Sequence, residues 1–434
     1  MRPVSVIIPA WNLWDMTLAC LHSLAQCSTP GSIEVIVVDN GSTDATASAL
    51  QDVGTTLFGH YFQAIRLPEN LGFAKGCNVG AAAATGDLLF FLNNDTLVTP
   101  QWLPPLCAAL ESSPALGMAG PLLLYPDTNE VQHCGVTAAP TRYVEHLYER
   151  FPAAHPLAHK RRLLQAITGA ALLIPAQLFA QCGRFHEGYQ NGCEDIDLCC
   201  AVRQKGKHLT TVPQSVVYHR VSQTPGRADH NDTNFDLLQS RWPAGLVPDM
   251  HRMALEDGFV PTLTPTLHLC LELPPEKTLA LKKAFSEHFD AERCQARLLA
   301  EPLWREGYTL LADHLEKTRQ WDAACAVYTR LTHFFPLARH FARLAKLAAR
   351  AGRRDLMLYA SAKTQQYTPS PAGTAQKAAH VRSLQRAYAP LQDEGLQTLF
   401  RHWLATYAPS ASPIPPIPPA PPVPNVPPVP ANAT

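Results

Sequence analysis

Short apolar runs alternate with helix-like stretches from Val4 to Leu92. Val4–Ile8, Glu34–Val38 and Leu88–Leu92 are nearly continuous in β-branched and large apolar residues, the pattern of strands buried on both faces of a parallel sheet. Between them Leu13–Leu24, Asp44–Leu50 and Phe73–Ala84 read as helices. Ser42 or Thr43 is placed to cap the second, with Asp44 in its first turn. Alternation of this kind predicts an α/β fold with a doubly wound, mostly parallel sheet.

The pattern then changes. Residues Pro100–Trp242 continue mixed α/β with less regular alternation, so one domain is expected over 1–242. Residues 243–299 are poorly patterned and stand as a linker or unassigned segment. A helical region follows over 300–408, rich in Ala, Leu and Arg. Within it Arg319–Ala324 resembles Gly352–Met357, and Pro336 and Pro369 lie 33 positions apart. That period suits tetratricopeptide helix pairs, with a plain helical bundle as the other reading. From 409 to 434 proline alternates with Ile, Val and Ala, which predicts a disordered, polyproline II tail. A passive spacer and a site for a proline-reading partner are both open to it.

Composition narrows the function classes. Lys+Arg 36 against Asp+Glu 36 leaves no formal net charge, which argues against nucleic-acid wrapping but not against one bound nucleotide. The 12 cysteines form no CxxC pair. Cys182, Cys193, Cys199 and Cys200 crowd near His186, yet the adjacent pair suits helix packing better than tetrahedral metal ligation. Met1–Asn12 does not read as a signal peptide, because Pro9 ends a short apolar run, and no apolar span reaches membrane length. Reduced thiols and a cytoplasmic protein are expected. Peripheral association with the inner face of the plasma membrane stays open.

The candidate chemistry lies where strands end. Val4–Ile8 runs into Pro9, Ala10 and Asn12; Val35–Val38 into Asp39 and Asn40; Leu88–Leu92 into Asn93, Asn94 and Asp95. A doubly wound sheet binds ligands beyond the carboxyl ends of its strands. Asp39 can accept hydrogen bonds from a nucleobase, and Asp95 offers a hard oxygen to a cation. His219, after Val216–Tyr218, brings an imidazole that can reach the same ion. Glu194, Asp195 and Asp197 crowd three carboxylates into the start of a helix-like run. That arrangement raises self-repulsion and can tune a general base.

These motifs in order resemble the rhamnosyltransferase-like branch of family 2 glycosyltransferases, which have the GT-A fold. They are Pro9–Asn12, Val37–Asp44, Asn70–Ala74, Gly86–Asp95, Thr168–Ile174, Glu194–Cys199, His219–Ser222, Asn234-Phe235 and Arg241-Trp242. The resemblance covers residues 1–242 and implies single displacement with inversion. It implies a nucleotide-sugar pocket of Pro9, Ala10, Asn12, Asp39, Asn40, Asn70, Gly72, Asn78, Asn93 and Asn94. It implies Asp195 as general base beside Glu194, and Mg²⁺ or Mn²⁺ on Asp95 and His219. Asn93 departs from the Asp-x-Asp form, so the ion binds more weakly or arrives with the donor. His186 stands where relatives show Asp, and Lys75 is either a phosphate contact or solvated. The implied reaction moves a sugar from a UDP or dTDP donor, dTDP-rhamnose among them, to a glycan or lipid-linked glycan of bacterial surface polysaccharide. A protein partner on the helical region or tail is a further expectation. The alternative is an inactive glycosyltransferase-like scaffold.

Overall fold

The computed structural model describes residues 3–141, 144–220, 230–286 and 289–409. The proline-rich tail and the end of the His219–Ser222 motif lie outside the described residues. The described chain divides into two compact units, one built from residues up to Thr137 and from Glu145–Val247, the other from Ala138–Val144 and from Pro248 to Pro409.

In the first unit the elements run β1 (Val4–Ala10), α1 (Trp14–Cys27), β2 (Ile33–Asp39), α2 (Thr46–Phe58), β3 (Phe62–Arg66), α3 (Phe73–Ala83) and β4 (Leu88–Leu92). Then come β5 (Thr96–Val98), α4 (Pro104–Ser112), β6 (Leu116–Leu124), β7 (Val131–His133) and two short strands, β8 (Val136–Ala138) and β9 (Val144–His146). β10 (Ala171–Pro175), α5 (Ala176–Gln181), α6 (Glu194–Gln204), β11 (His208–His219) and α7 (Asn231–Arg241) complete it.

The main sheet has nine strands in the order β3-β2-β1-β4-β10-β6-β11-β5, with β7 on β6. β1, β2, β3 and β4 are parallel, as are β6 and β11, while β10 runs antiparallel between β4 and β6. β1 lies between β2 and β4, so the chain winds outward on one side and returns on the other. The crevice of such a switch point opens beyond the carboxyl ends of β1 and β4. β4 is buried at every position and β1 at all but one, as continuous apolar runs require. Helix α1 closes one face with Cys20, Leu21 and Leu24, and Trp102 lies 4.7 Å from Phe90 beneath it.

The start of α2 differs from the expected cap. The helix begins at Thr46, and Asp44 rather than Ser42 or Thr43 serves its end, accepting from the Thr46 N–H at 3.0 Å and the Trp14 N–H at 3.0 Å. Ser42 instead accepts from the Asn12 N–H at 2.8 Å, and Asn12 Oδ1 accepts from the Thr43 N–H at 2.8 Å. Two neighbouring strand ends are thereby tied together. Gly41 makes the turn at φ +75°, where a Cβ would fall 2.6 Å from the Glu69 backbone.

The second unit takes up the stretch that the pattern left unassigned. It contains α8 (Met250–Glu256), the antiparallel pair β12 (Val260–Leu263) and β13 (Leu269–Glu272), α9 (Pro275–Ser286) and α10 (Ala291–Ala300). The helices α11 (Arg305–Lys317), α12 (Trp321–Phe334), α13 (Ala338–Arg350) and α14 (Arg354–Tyr367) follow. α15 (Pro371–Tyr388) and α16 (Glu394–Tyr407) end it. α13 and α14 begin 33 residues after α11 and α12, the spacing of a tetratricopeptide-like pair. Asp393 joins the ends of this unit: it caps α16 through the Leu396 N–H at 2.9 Å and meets His251 Nε2 at 2.9 Å. No described helix is long and apolar enough to cross a membrane.

Candidate active site

The crevice at the switch point is lined by the ends of three parallel strands. Pro9, Ala10 and Trp11 come from β1, Asn40 from β2, and Asn93, Asn94 and Asp95 from β4, with Asn70 and Phe73 at the approach to α3. Opposite them stand Thr168, Gly169 and Ala170 before β10, and Asn191, Glu194 and Asp195 at the start of α6. Nine sequence-predicted residues therefore meet in one cavity: Pro9, Ala10, Asn40, Asn70, Asn93, Asn94, Asp95, Glu194 and Asp195.

The others lie outside its lining. Asn12 ties the strand-end loops, as described. Gly72 gives its carbonyl to Asn40 Nδ2 at 3.1 Å. Asn78 holds the Phe185 backbone at both atoms, 2.8 and 3.1 Å, and meets Glu187 at 3.0 Å. Asp39 is buried at the end of β2; its Oδ1 accepts from the Ser42 N–H at 2.8 Å and its Oδ2 from Arg66 at 2.9 Å. Lys75 is exposed on α3. Trp11, Phe73, Thr168, Gly169, Ala170 and Asn191 line the crevice without having been singled out as site residues.

The three clustered carboxylates have separate surroundings. Asp197 is buried and receives the Tyr189 hydroxyl at 2.9 Å, Arg241 Nε at 2.6 Å and Trp242 Nε1 at 2.7 Å. Its hydrogen bond to Arg241 helps push that guanidinium pKa up, and burial followed by the Asp197 charge pushes Tyr189 up. Asp197 thus fastens α7 to α6. Glu194 is buried and accepts from the Gly192 N–H at 2.6 Å. Asp195 is half-buried: Oδ2 accepts from the Gly169 N–H at 2.8 Å and Oδ1 from the Ile196 N–H at 2.8 Å. A carboxylate oxygen has more than one acceptor direction, so Asp195 is aimed without being used up.

A second polar group lies at the end of β4. His219 Nε2 stands 3.1 Å from Asp95 Oδ1 and 3.3 Å from Asn93 Nδ2, and His219 Nδ1 is 2.6 Å from Gln132 Oε1. Next along β7, His133 Nδ1 pairs with His146 Nδ1 at 2.8 Å, and burial followed by His146 and His219 holds His133 well below the usual imidazole range.

The cysteines near His186 are different in kind. Burial, then the carboxylates of Asp195, Glu194 and Asp197, push Cys193 up to about 12. Burial likewise raises Cys182, Cys199 and Cys200.

Parts of the chain are similar to known proteins. The family model described as Glycosyl transferase family 2 matches residues 5–139. An uncharacterised protein of Sinorhizobium fredii is 28% identical over 252 residues, 55% of this chain and 27% of its own length. The O-antigen biosynthesis protein RfbC of Myxococcus xanthus is 29% identical over 234 residues, 52% of this chain and 18% of its own. The chain thus spans under a third of either relative's length. A crystal structure of GalNAc-T7 with UDP, GalNAc and Mn²⁺ superposes with a TM-score of 0.43 at 18% identity, covering 50% of this chain and 44% of that one. The part of the chain that matches the glycosyl transferase family 2 model is thus residues 5–139 of the N-terminal region.

Proposed function

We propose that the chain is an inverting glycosyltransferase that moves a sugar from a UDP or dTDP donor to a hydroxyl of a glycan or lipid-linked glycan. The observation that carries this reading is the crevice itself. Polar ends of three parallel strands face Glu194 and Asp195 across one opening. In this reading the strand-end asparagines hold the nucleotide diphosphate and sugar. Trp11, exposed at the rim, supplies a flat apolar surface to a ring.

Asp195 takes the proton of the acceptor hydroxyl as its oxygen bonds to the anomeric carbon. The bond from that carbon to the diphosphate oxygen breaks, and its electron pair leaves with the nucleoside diphosphate. Backbone N–H groups of Gly169 and Ile196 orient the carboxylate, which suits a base more than the buried Glu194. Asp95 and His219 form a hard oxygen and nitrogen donor pair that fits Mg²⁺ or Mn²⁺. When bound, such an ion neutralises charge developing on the leaving diphosphate. Among the described residues no group of three or more His, Cys, Asp and Glu side chains gathers for a metal. Two protein ligands with the rest from phosphate is a common Mg²⁺ arrangement, and it agrees with Asn93 in place of a carboxylate.

A dTDP-deoxyhexose donor and assembly of bacterial surface polysaccharide belong to the same reading, supported by the motif resemblance and by the O-antigen name of one relative. Calorimetry with a panel of UDP- and dTDP-sugars, with Mg²⁺ or Mn²⁺, tests it. At least one donor should bind and release nucleotide when a lipid-linked glycan is added. Failure of every donor under both ions overturns the enzyme reading and favours the scaffold alternative.

A further inference from the structure

Gln132 is a buried amide on the short strand β7, far in sequence from every residue assigned above. It grips one residue at two points. Its Nε2 donates to the backbone carbonyl of His219 at 2.8 Å, and its Oε1 stands 2.6 Å from His219 Nδ1. The first contact decides the second. A carbonyl can only accept, so the amide nitrogen must face it and the amide oxygen must face the ring. The reverse orientation would set two oxygens against each other. An oxygen at 2.6 Å from Nδ1 in turn requires the hydrogen on Nδ1. Both side chains are buried, at 5% exposure each, so water does not replace either bond cheaply.

The consequence falls on the other nitrogen. With Nδ1 protonated, a neutral imidazole presents a lone pair at Nε2, the atom 3.1 Å from Asp95 Oδ1. The Asn93 amide nitrogen, a donor, stands 3.3 Å from the same atom, which agrees with an acceptor there. A lone pair and a carboxylate oxygen 3.1 Å apart repel until a cation lies between them, so the two atoms are a donor pair for an ion. We propose that Gln132 is a positioning residue that holds His219 as the Nδ1–H tautomer and so readies Nε2 for the divalent ion. This rests on the cation site proposed above. An outer partner that fixes tautomer and ring direction commonly changes metal affinity by about 10- to 100-fold when removed.

The test uses the full chain and two substitutions. Gln132→Met keeps length and removes the acceptor; Gln132→Glu restores an oxygen to Nδ1–H and, when protonated at its other oxygen, still donates to the His219 carbonyl. Long-range ¹H–¹⁵N spectra of the metal-free protein, with His219→Asn to assign the signal, should show Nδ1–H in the parent. Mn²⁺ titration in the presence of UDP, followed by electron paramagnetic resonance, should show about 10- to 100-fold weaker binding in Gln132→Met. Gln132→Glu should recover most of it, and circular dichroism should show all variants folded. An Nε2–H or doubly protonated His219 in the parent overturns the proposal. So does Mn²⁺ binding by Gln132→Met equal to that of the parent. If the parent binds no Mn²⁺ with UDP yet shows Nδ1–H, the cation site itself fails and Gln132 loses this role. If the site stands and Gln132→Glu binds as weakly as Gln132→Met, the acceptor argument fails alone.

Discussion

At the scale of single residues, three carboxylates within four positions do different work because their surroundings differ. Asp195 faces the crevice with two backbone N–H groups behind it, whereas Asp197 is surrounded by Tyr189, Arg241 and Trp242. Asp195→Asn should therefore lower turnover by ~10²-fold or more while leaving donor affinity close to that of the parent. Steady-state rates beside calorimetric binding separate the two, and an unchanged rate would move the base to Glu194. Asp197→Ala should act on stability instead. It leaves a part-exposed guanidinium, the buried Tyr189 hydroxyl and an indole N–H without their acceptor, a loss of about 1–3 kcal/mol. Urea unfolding reads it, and an unfolding midpoint equal to that of the parent would refute the role of Asp197 as a fastening. Gly169 belongs to the same argument: a Cβ there would stand 3.1 Å from the Asp195 Cβ, so Gly169→Ala should disturb the base without touching its chemistry.

Elements carry the next set of constraints. The loop before α6 is held from three directions. Asn78 binds Phe185, Asn234 binds Gln190 through both its amide atoms at 3.0 and 2.9 Å, and Asn191 accepts from the Phe73 N–H at 3.2 Å. Asn234→Ala should thus raise KM for the acceptor more than for the donor, because it frees the loop opposite the strand ends. Equal changes in the two constants would count against that. On β9, burial and then Glu149 push the Glu145 carboxyl up to about 7. A folded value above the unfolded one contributes stability that is present in acid and lost as pH rises through the folded value. The parent should lose ~2 kcal/mol relative to Glu145→Gln between about pH 4.5 and 7.5, somewhat below the full linkage because the side chain keeps partial solvent contact. Chemical denaturation of both proteins across that window measures the difference, and parallel curves would remove Glu145 as its source.

The same scale explains what could be read from the chain. β4 matches its apolar run at both ends, and α3 at its start, because continuous burial and helical spacing are local signals. The strand-end residues Pro9, Ala10, Asn40 and Asp95 were legible for that reason. Thr168–Ala170 and Asn191 reach the crevice through β10, which returns antiparallel between β4 and β6. No local pattern encodes that pairing. Asn12 and Asn78 sit in the right motifs, yet their side chains are used by neighbouring backbone. Gln132 carried no signal at all, since its meaning depends wholly on His219.

For the molecule as a whole, ligand and fold are linked through mass action. A ligand that binds only the folded chain stabilises it in proportion to the logarithm of its saturation, about 2.7 kcal/mol at a hundredfold excess over Kd. In the proposed reading two protein donors, Asp95 and His219, make a weak ion site unless phosphate oxygens complete it. UDP with Mn²⁺ should therefore raise the melting temperature by more than the separate effects of UDP and of Mn²⁺ combined. The excess is the coupling between the two ligands and must be equal in both directions, so Mn²⁺ should tighten UDP by the same factor that UDP tightens Mn²⁺. Uridine lacks the phosphates and should show no such coupling. Asp95→Asn should abolish the excess and keep the smaller effect of UDP alone, because the strand-end contacts to the nucleotide remain. Thermal unfolding of parent and variant with each ligand and with both decides it. Additive shifts in the parent would mean that the ion does not bind with the diphosphate, and the donor pair at the end of β4 would then need another occupant.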